Sequence, residues 1–439
     1  MPDPNCTQNV LEFPGFSRRK IEVSFSGGDI TSNGGVQLLR MADERTGLIK
    51  AIVQTIDDDR RTNSCTHDLE SLIRQRVYAL SLGYEDLNDH ETLRGDLALQ
   101  SALYRDEVLA SSSTLCRLEN RADRATAVAM HEVLVEQFIG SFKKAPRRLI
   151  LDVDATDDRV HGDQEGRFFH AYYDHYCFLP LYVFCKDQLL VSYLRESKID
   201  GAKHSWAILA LLIKRLRQVW PKVKIIVRGD SGFCRWRMLR WFDRHNVDYI
   251  IGLAKNARLL DQSYAMRILA EIRYQASGKK QRLFGEIRYA AQTWDSDRRV
   301  IVKIEHSSRG PNPRFVVTNL SGGVKRLYDR VYCARGEMEN RIKEQQLDLF
   351  ADRTSCHGWW ANQFRLLLSS LAYTLMETIR RVALRGTELA RAQCGTIRLK
   401  LLRIGAIVIR NTRRIRLLLS SSHPNQELFF LVASRLKPG

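Results

Sequence analysis

Three stretches of the sequence place acids where phosphoryl chemistry could use them. In the first, Leu149 to Asp154, the period of two puts Asp152 and Asp154 on one face of a strand while Leu149, Leu151 and Val153 take the other. In the second, Ile225, Ile226 and Val227 run into Arg228-Gly229-Asp230-Ser231-Gly232, which sets Asp230 at the carboxyl end of a buried strand, where α/β sheets open their binding crevice. One strand-end acid by itself reads as a cap or surface break as readily as a catalyst. Two such strands side by side would converge two carboxylates. The third stretch is a helix on which Tyr332, Arg335, Glu339, Lys343 and Gln346 fall, at ~100° per residue, within a stripe about 80° wide. Alone, that stripe reads as a solvent-facing ladder whose i, i+4 pairs contribute about 0.2–0.5 kcal/mol each. With the two aspartates counted, Asp154, Asp230 and Glu339 form a set of hard oxygen ligands suited to Mg²⁺, or Mn²⁺ in its place. Two such ions ~4 Å apart can activate an attacking oxygen and stabilise a leaving one. These three residues are then the expected catalytic and metal-binding groups, with Asp152 as the fallback for Asp154. Tyr332, Arg335 and Lys343 stand beside them on the DNA side, the cations gripping phosphates.

The elements that must position these groups can be read coarsely. Residues 1–145 are expected to be mostly helical, with amphipathic runs from His67 to Leu82, closed by Gly83, and from Ala122 to Ile139, closed by Gly140. Ser111 to Thr114 offer N-cap oxygens to a short helix carrying Arg117 and Arg121. Strand patterns follow at Leu149 to Val153, Phe178 to Phe184, Leu189 to Leu194, Lys224 to Val227 and Asn246 to Gly252. Helical patterns at Ser205 to Val219 and Arg258 to Ile272 interleave with them, the signature of a mixed α/β sheet. A run of short β patterns, broken by Gly310, Pro311 and Pro313, predicts a β-rich insertion over 276–322; helix resumes near Tyr328, and Gln363 to Ile379 is a longer apolar helix. The expected domains are a helical DNA-binding region over 1–145, a catalytic core over 146–275 and 323–385 around that insertion, and a basic strand-rich region over 386–439. In this last region Ile397, Leu399 and Leu401 alternate with Arg398 and Lys400.

Charge narrows the partner. The 439 residues carry 69 Lys plus Arg against 50 Asp plus Glu, a net +19, and 44% hydrophobic residues exclude disorder for the bulk of the chain. From Arg380 to Gly439 thirteen cations face two acids, so more than half of the surplus sits in the last 60 residues. A solvated edge that blocks aggregation is one reading; the near absence of acids favours a phosphate-tracking surface that includes Arg413, Arg414 and Arg416. Nine scattered cysteines without a Cys-x-x-Cys pair read as reduced thiols, and the lack of an apolar leader or of ~18 uninterrupted apolar residues leads us to expect a soluble cytoplasmic protein with no membrane partner. His161, His170 and His175 lack the spacing of a zinc site. Phe168, Phe169, Tyr172, Tyr173 and Tyr176 read as hairpin core more readily than as a base-stacking platform, and both readings stay open.

These blocks carry a resemblance. The strand with Asp154-Ala155-Thr156, the strand ending Arg228-Gly229-Asp230-Ser231-Gly232 and the helix Tyr332-x-x-Arg335-x-x-x-Glu339-Asn340 resemble the three catalytic blocks of DDE insertion-sequence transposases, most nearly the insertion sequence 1380 family. Similarity also runs through Arg74-Gln75-Arg76-Val77-Tyr78, Gly83-Tyr84-Glu85-Asp86-Leu87-Asn88 and Ala361-Asn362-Gln363-Phe364-Arg365. The resemblance implies an RNase H-like core and a bacterial enzyme that cuts at the ends of its element and joins them to target. Double-stranded DNA would be its partner, with a dimer in the DNA complex. Related families place a Lys seven residues after the Glu, where this chain has Gln346, so Lys343 is expected to cover part of that role. In hairpin-forming relatives an insertion-domain Trp stacks on a flipped base, a role that would fall to Trp294. A nuclease of the same fold that cuts without joining, or a DNA-binding protein that has lost activity, are the alternatives.

Overall fold

In the computed structural model, which describes residues 10–61 and 65–437, one of two units (Lys50–Asp57 with Leu118–Glu377) is organised by a mixed sheet of eight strands. They are β1 (Arg148–Ala155), β2 (Leu181–Cys185), β3 (Gln188–Tyr193), β4 (Lys224–Gly229), β5 (Asp248–Leu253), β6 (Gln281–Tyr289), β7 (Arg298–Ser307) and β8 (Gly310–Thr318). Across the sheet the order is β6-β7-β8-β5-β4-β1-β2-β3. β4 runs parallel to both β1 and β5, and every other pairing is antiparallel.

Alternation along the strands decides what each face buries. Leu149, Leu151, Val153, Ile225 and Val227 point to one face. There they pack with Phe138 of α1 (Arg124–Gly140), Leu209 and Leu216 of α2 (Ser205–Val219), Leu239 and Phe242 of α3 (Trp236–Arg244) and Ala270 of α4 (Tyr264–Ser277). Each large apolar side chain so buried contributes about 1.5–3 kcal/mol. The opposite face carries Ile226, Ile250, Ile301 and Val316, covered by Leu327 and Tyr328. Asp152 and Arg228 share this second face by register, two residues on from Ile150 and Ile226.

Several expectations are revised here. The helix expected over 258–272 is broken at Ser263, whose hydroxyl donates to the Leu259 carbonyl at 2.8 Å and bends the chain between Ala257–Gln262 and α4. The β run over 276–322 forms no sheet of its own: β8 pairs with β5, so β6, β7 and β8 widen the central sheet. Pro311 and Pro313 lie inside β8 where it pairs with β7 alone, so their missing N–H groups leave the ladder to β5 intact.

In the described part of the other unit (Met1–Ile49, Asp58–Arg117, Thr378–Gly439), the helix Leu69–Leu82 starts where the Asp68 carboxylate accepts from Ser71 N at 2.6 Å and ends at Gly83, which takes a φ of +93°. The region is less helical than its sequence suggests, because Leu11–Phe16 and Arg19–Val23 pair as an exposed hairpin. The opposite correction applies to 397–402, which is helical. Ile397 and Leu401 satisfy both a period of two and an i, i+4 spacing, and packing chose the second, burying both and leaving Leu399 exposed. The basic hairpin lies further on, Ala406–Asn411 paired with Arg414–Leu419. Among the described residues no helix is long and apolar enough to cross a membrane. Eight described cysteines are free thiols; Cys6 lies outside the described residues.

Candidate active site

The last paired residues of β1 and β4 are Val153 and Gly229, so Asp154 and Asp230 follow at the same level on neighbouring parallel strands, which are spaced ~4.8 Å apart. The chain leaves β1 toward β2 on one side and β4 toward β5 on the other, which makes this the switch point of the sheet. Asp230 is oriented by capping the short helical turn Ser231–Phe233, its carboxylate accepting from Gly232 N at 2.9 Å. The Asp154 carboxylate accepts from Ala155 N at 3.0 Å and from Arg335 Nη1 at 2.8 Å. Burial pushes the Asp154 carboxyl up to about 6, against the pull of Arg335 and with added repulsion from Asp230.

The third block is a composite helix. A π turn over Leu327–Tyr332 and a tight turn over Cys333–Arg335 lead into α5 (Gly336–Lys343), and a second π turn, Glu344–Asp348, follows. The uniform 100° stripe is therefore broken, as π insertions rotate everything beyond them. What survives is the i, i+4 pair inside the regular part: Arg335 Nη2 donates to Glu339 Oε1 at 2.7 Å. Arg335 thus bridges Asp154 and Glu339, and the two carboxylates stand one guanidinium width apart. Burial opposes the charge of Arg335, yet Asp154, Glu339 and Asp230 together hold it above its ordinary range. Tyr332 lies over Gly252 in β5, where an added Cβ would come within 2.7 Å of the tyrosine hydroxyl and 2.8 Å of Ser231 N; only glycine admits this approach.

Asp152 is not available as a fallback. Its carboxylate accepts both from Arg228 Nε at 2.5 Å and from Arg228 Nη2 at 2.6 Å, deep in the second face of the sheet, while Arg228 Nη1 donates to the Val331 carbonyl at 2.7 Å. The pair ties β1 and β4 to the backbone that carries Arg335. The cross-strand pairing of Arg228 with Asp152 depends on strand register, and no motif in the sequence signals it.

The remaining expected residues scatter. Lys343 is exposed on α5, and Gln346 Nε2 donates to the Asp157 carbonyl at 3.0 Å, so it secures the loop after β1. Trp294 is not brought to the acids. It sits in the turn between β6 and β7, half-buried against Tyr289 at 5.5 Å and under the Arg298 guanidinium at 5.3 Å. Arg298 in turn pairs with Asp243 at the end of α3, and β7 starts beside the amino end of β5, so the indole lies at the end of the sheet opposite to Asp230. Arg413, Arg414 and Arg416 are exposed on the basic hairpin.

Asp154 and Asp230 offer the paired carboxylate oxygens that a hard divalent cation takes. Glu339 does not join them in this conformation, since Arg335 stands between; among the described residues no three His, Cys, Asp or Glu side chains come together closely enough to hold an ion.

The transposase DDE domain group 1 family matches residues 13–438, and the chain belongs to that family. It is a DDE-type DNA transposase. Among solved structures, a cryo-EM structure of the piggyBac transposase synaptic complex with hairpin DNA is similar at 10% identity and a TM-score of 0.44, over 84% of this chain and 79% of that one. No curated protein matches.

Proposed function

We propose that the chain is the transposase of a bacterial insertion sequence, akin to the insertion sequence 1380 family, which cuts at the ends of its element and joins them to target DNA while acting as a dimer on double-stranded DNA. The observation that carries the reading is the level placement of Asp154 and Asp230 at the switch point, with Arg335 and Glu339 on the helix beside them. The run β3-β2-β1-β4-β5, with β2 alone antiparallel, fits the RNase H-like core that the sequence resemblance implies. Asp154 and Asp230 would hold divalent ions, and Glu339 would join them once released from Arg335. When bound, Mg²⁺ supplies Lewis-acid stabilisation of a phosphoryl transfer. Arg335, freed from its two carboxylates, presents a planar fork to a phosphate flanking the scissile bond.

The test uses the purified full chain, Mg²⁺ and a labelled duplex carrying the terminal repeats that flank its gene. Cleavage at the repeat and transfer of the cut end to a second duplex are the expected products. Cleavage without transfer would leave a nuclease. Alanine at Asp154, Asp230 or Glu339 should abolish cleavage and leave DNA binding largely intact; near-normal cleavage by any one variant removes that residue from the site.

A further inference from the structure

The aromatic hairpin after β1 is not hairpin core. Phe168–His170 and His175–Phe178 pair antiparallel, Phe168 opposite Cys177 and Phe169 opposite Tyr176, and Asp158–Arg159 adds a third short strand. Successive side chains alternate between faces. Cys177, on the inward face with Phe168, is buried, whereas Phe169 and Tyr176 on the outward face are 51% and 48% exposed with ring centroids 5.7 Å apart. Tyr172, in the turn, is 83% exposed. The Arg167 guanidinium extends this surface, 4.8 Å from the Tyr176 ring, while also pairing with Asp163. Three large rings left in water on so short an element are unfavourable unless something covers them.

The place of the hairpin indicates what does. It leaves β1 a few residues beyond Asp154, and His175 Nε2 lies 2.9 Å from the Asp157 carboxylate. Between them Tyr173 is pushed up to about 12, chiefly by burial and then by Asp157, Tyr172 and Asp154, so its hydroxyl sits within the field of the candidate catalytic acid. Whatever occupies the site at Asp154 has these rings as its neighbour.

We propose that Phe169, Tyr172 and Tyr176 form a stacking platform for unpaired DNA bases next to the bond that is cut. This rests on the reading of Asp154 as part of a DNA-cleaving site. Every base offers a π face, so stacking is indifferent to sequence but requires the base to leave its partner. The platform therefore selects frayed or single-stranded DNA at the point of cleavage over intact duplex.

The experiment compares the affinity of the full chain, in EDTA, for a forked duplex with a short unpaired tail and for a fully paired duplex of the same length. The wild-type chain should prefer the fork by about tenfold, the factor one base–aromatic stack is worth. Phe169→Ala with Tyr176→Ala, and separately Tyr172→Ala, should lose that preference while keeping duplex affinity, which also reports that the chain is folded; Phe169→Tyr should retain it. A preference unchanged in the alanine variants overturns the proposal, as does a wild-type chain that binds both probes equally. A shift in oligomeric state in the alanine variants with the fork preference intact would assign the rings to a second copy of the chain and equally overturn it. The two readings fail separately. Ring-dependent fork binding by a chain that never cleaves refutes the transposition chemistry and keeps the platform; cleavage and joining with ring-independent binding does the reverse.

Discussion

Asp152 and Asp154 are two residues apart on one strand, yet the structure predicts opposite consequences for their removal. The Asp152–Arg228 pair is buried, with side-chain exposures of 3% and 9%, and bidentate at 2.5 and 2.6 Å. Asp152→Ala would leave the Arg228 guanidinium in the sheet with only the Val331 carbonyl to accept from it. Breaking a buried pair from one side typically costs about 3–5 kcal/mol, most of it for the stranded charge. Asp154 has no such partner lost to the interior: its removal relieves repulsion with Asp230 and frees Arg335 to stay on Glu339. Asp154→Ala should therefore change stability by about 1 kcal/mol or less while abolishing cleavage. Urea unfolding followed by tryptophan fluorescence, with the slope checked for constancy, measures the first quantity, and the oligonucleotide assay the second. The double variant Asp152→Leu with Arg228→Met should recover much of the lost stability, since apolar replacement of a whole buried pair is often neutral. An Asp152→Ala chain as stable as the wild type but inactive would refute the reasoning, because it would place Asp152 in the chemistry and make the ion pair dispensable.

Asp154 also predicts a pH dependence in metal-free protein. Its folded pKa of about 6 lies above that of an unfolded aspartate, so the folded chain binds the proton more tightly, and stability rises as pH falls from above 6 toward 4. The gain amounts to at most about 3 kcal/mol and should be missing from Asp154→Asn; parallel pH profiles for the two chains would show that the carboxyl titrates normally. Neutralising Arg413, Arg414 and Arg416 together should flatten the slope of log K against log salt for duplex DNA by up to ~2.7 if all three meet phosphates. An unchanged slope returns the hairpin to a role in solubility. Trp294→Ala should destabilise the fold by about 1–2 kcal/mol through lost packing on Tyr289 and Arg298, and slow every cleavage step alike. A selective stall after the first nick would contradict its place at the far end of the sheet.

Pattern in the chain was enough to locate β1, β4 and α2, because each has one face so apolar that a single arrangement can bury it. Asp154 and Asp230 at strand ends follow from the same local arithmetic. Local pattern failed where two periods shared the same residues, as at Ile397 and Leu401, and where exposed strands such as Leu11–Phe16 gave no buried face to read. It failed again in the helix of Glu339, where π turns alter a spacing that only tertiary packing against the sheet imposes.

The sequence by itself determined which residues could do the chemistry and which strands would carry them, since residue type and alternation are properties of a short segment. Tertiary structure alone decided who meets whom. It set β4 against β1 in the register that makes Asp152 a structural partner of Arg228 and leaves Asp154 level with Asp230. It put Arg335 between Asp154 and Glu339, carried Trp294 to the opposite end of the sheet, and left Phe169, Tyr172 and Tyr176 in solvent instead of in a core. Register and packing join residues tens to hundreds of positions apart, and the free energy that selects them is a sum over the whole buried surface, which no local stretch contains.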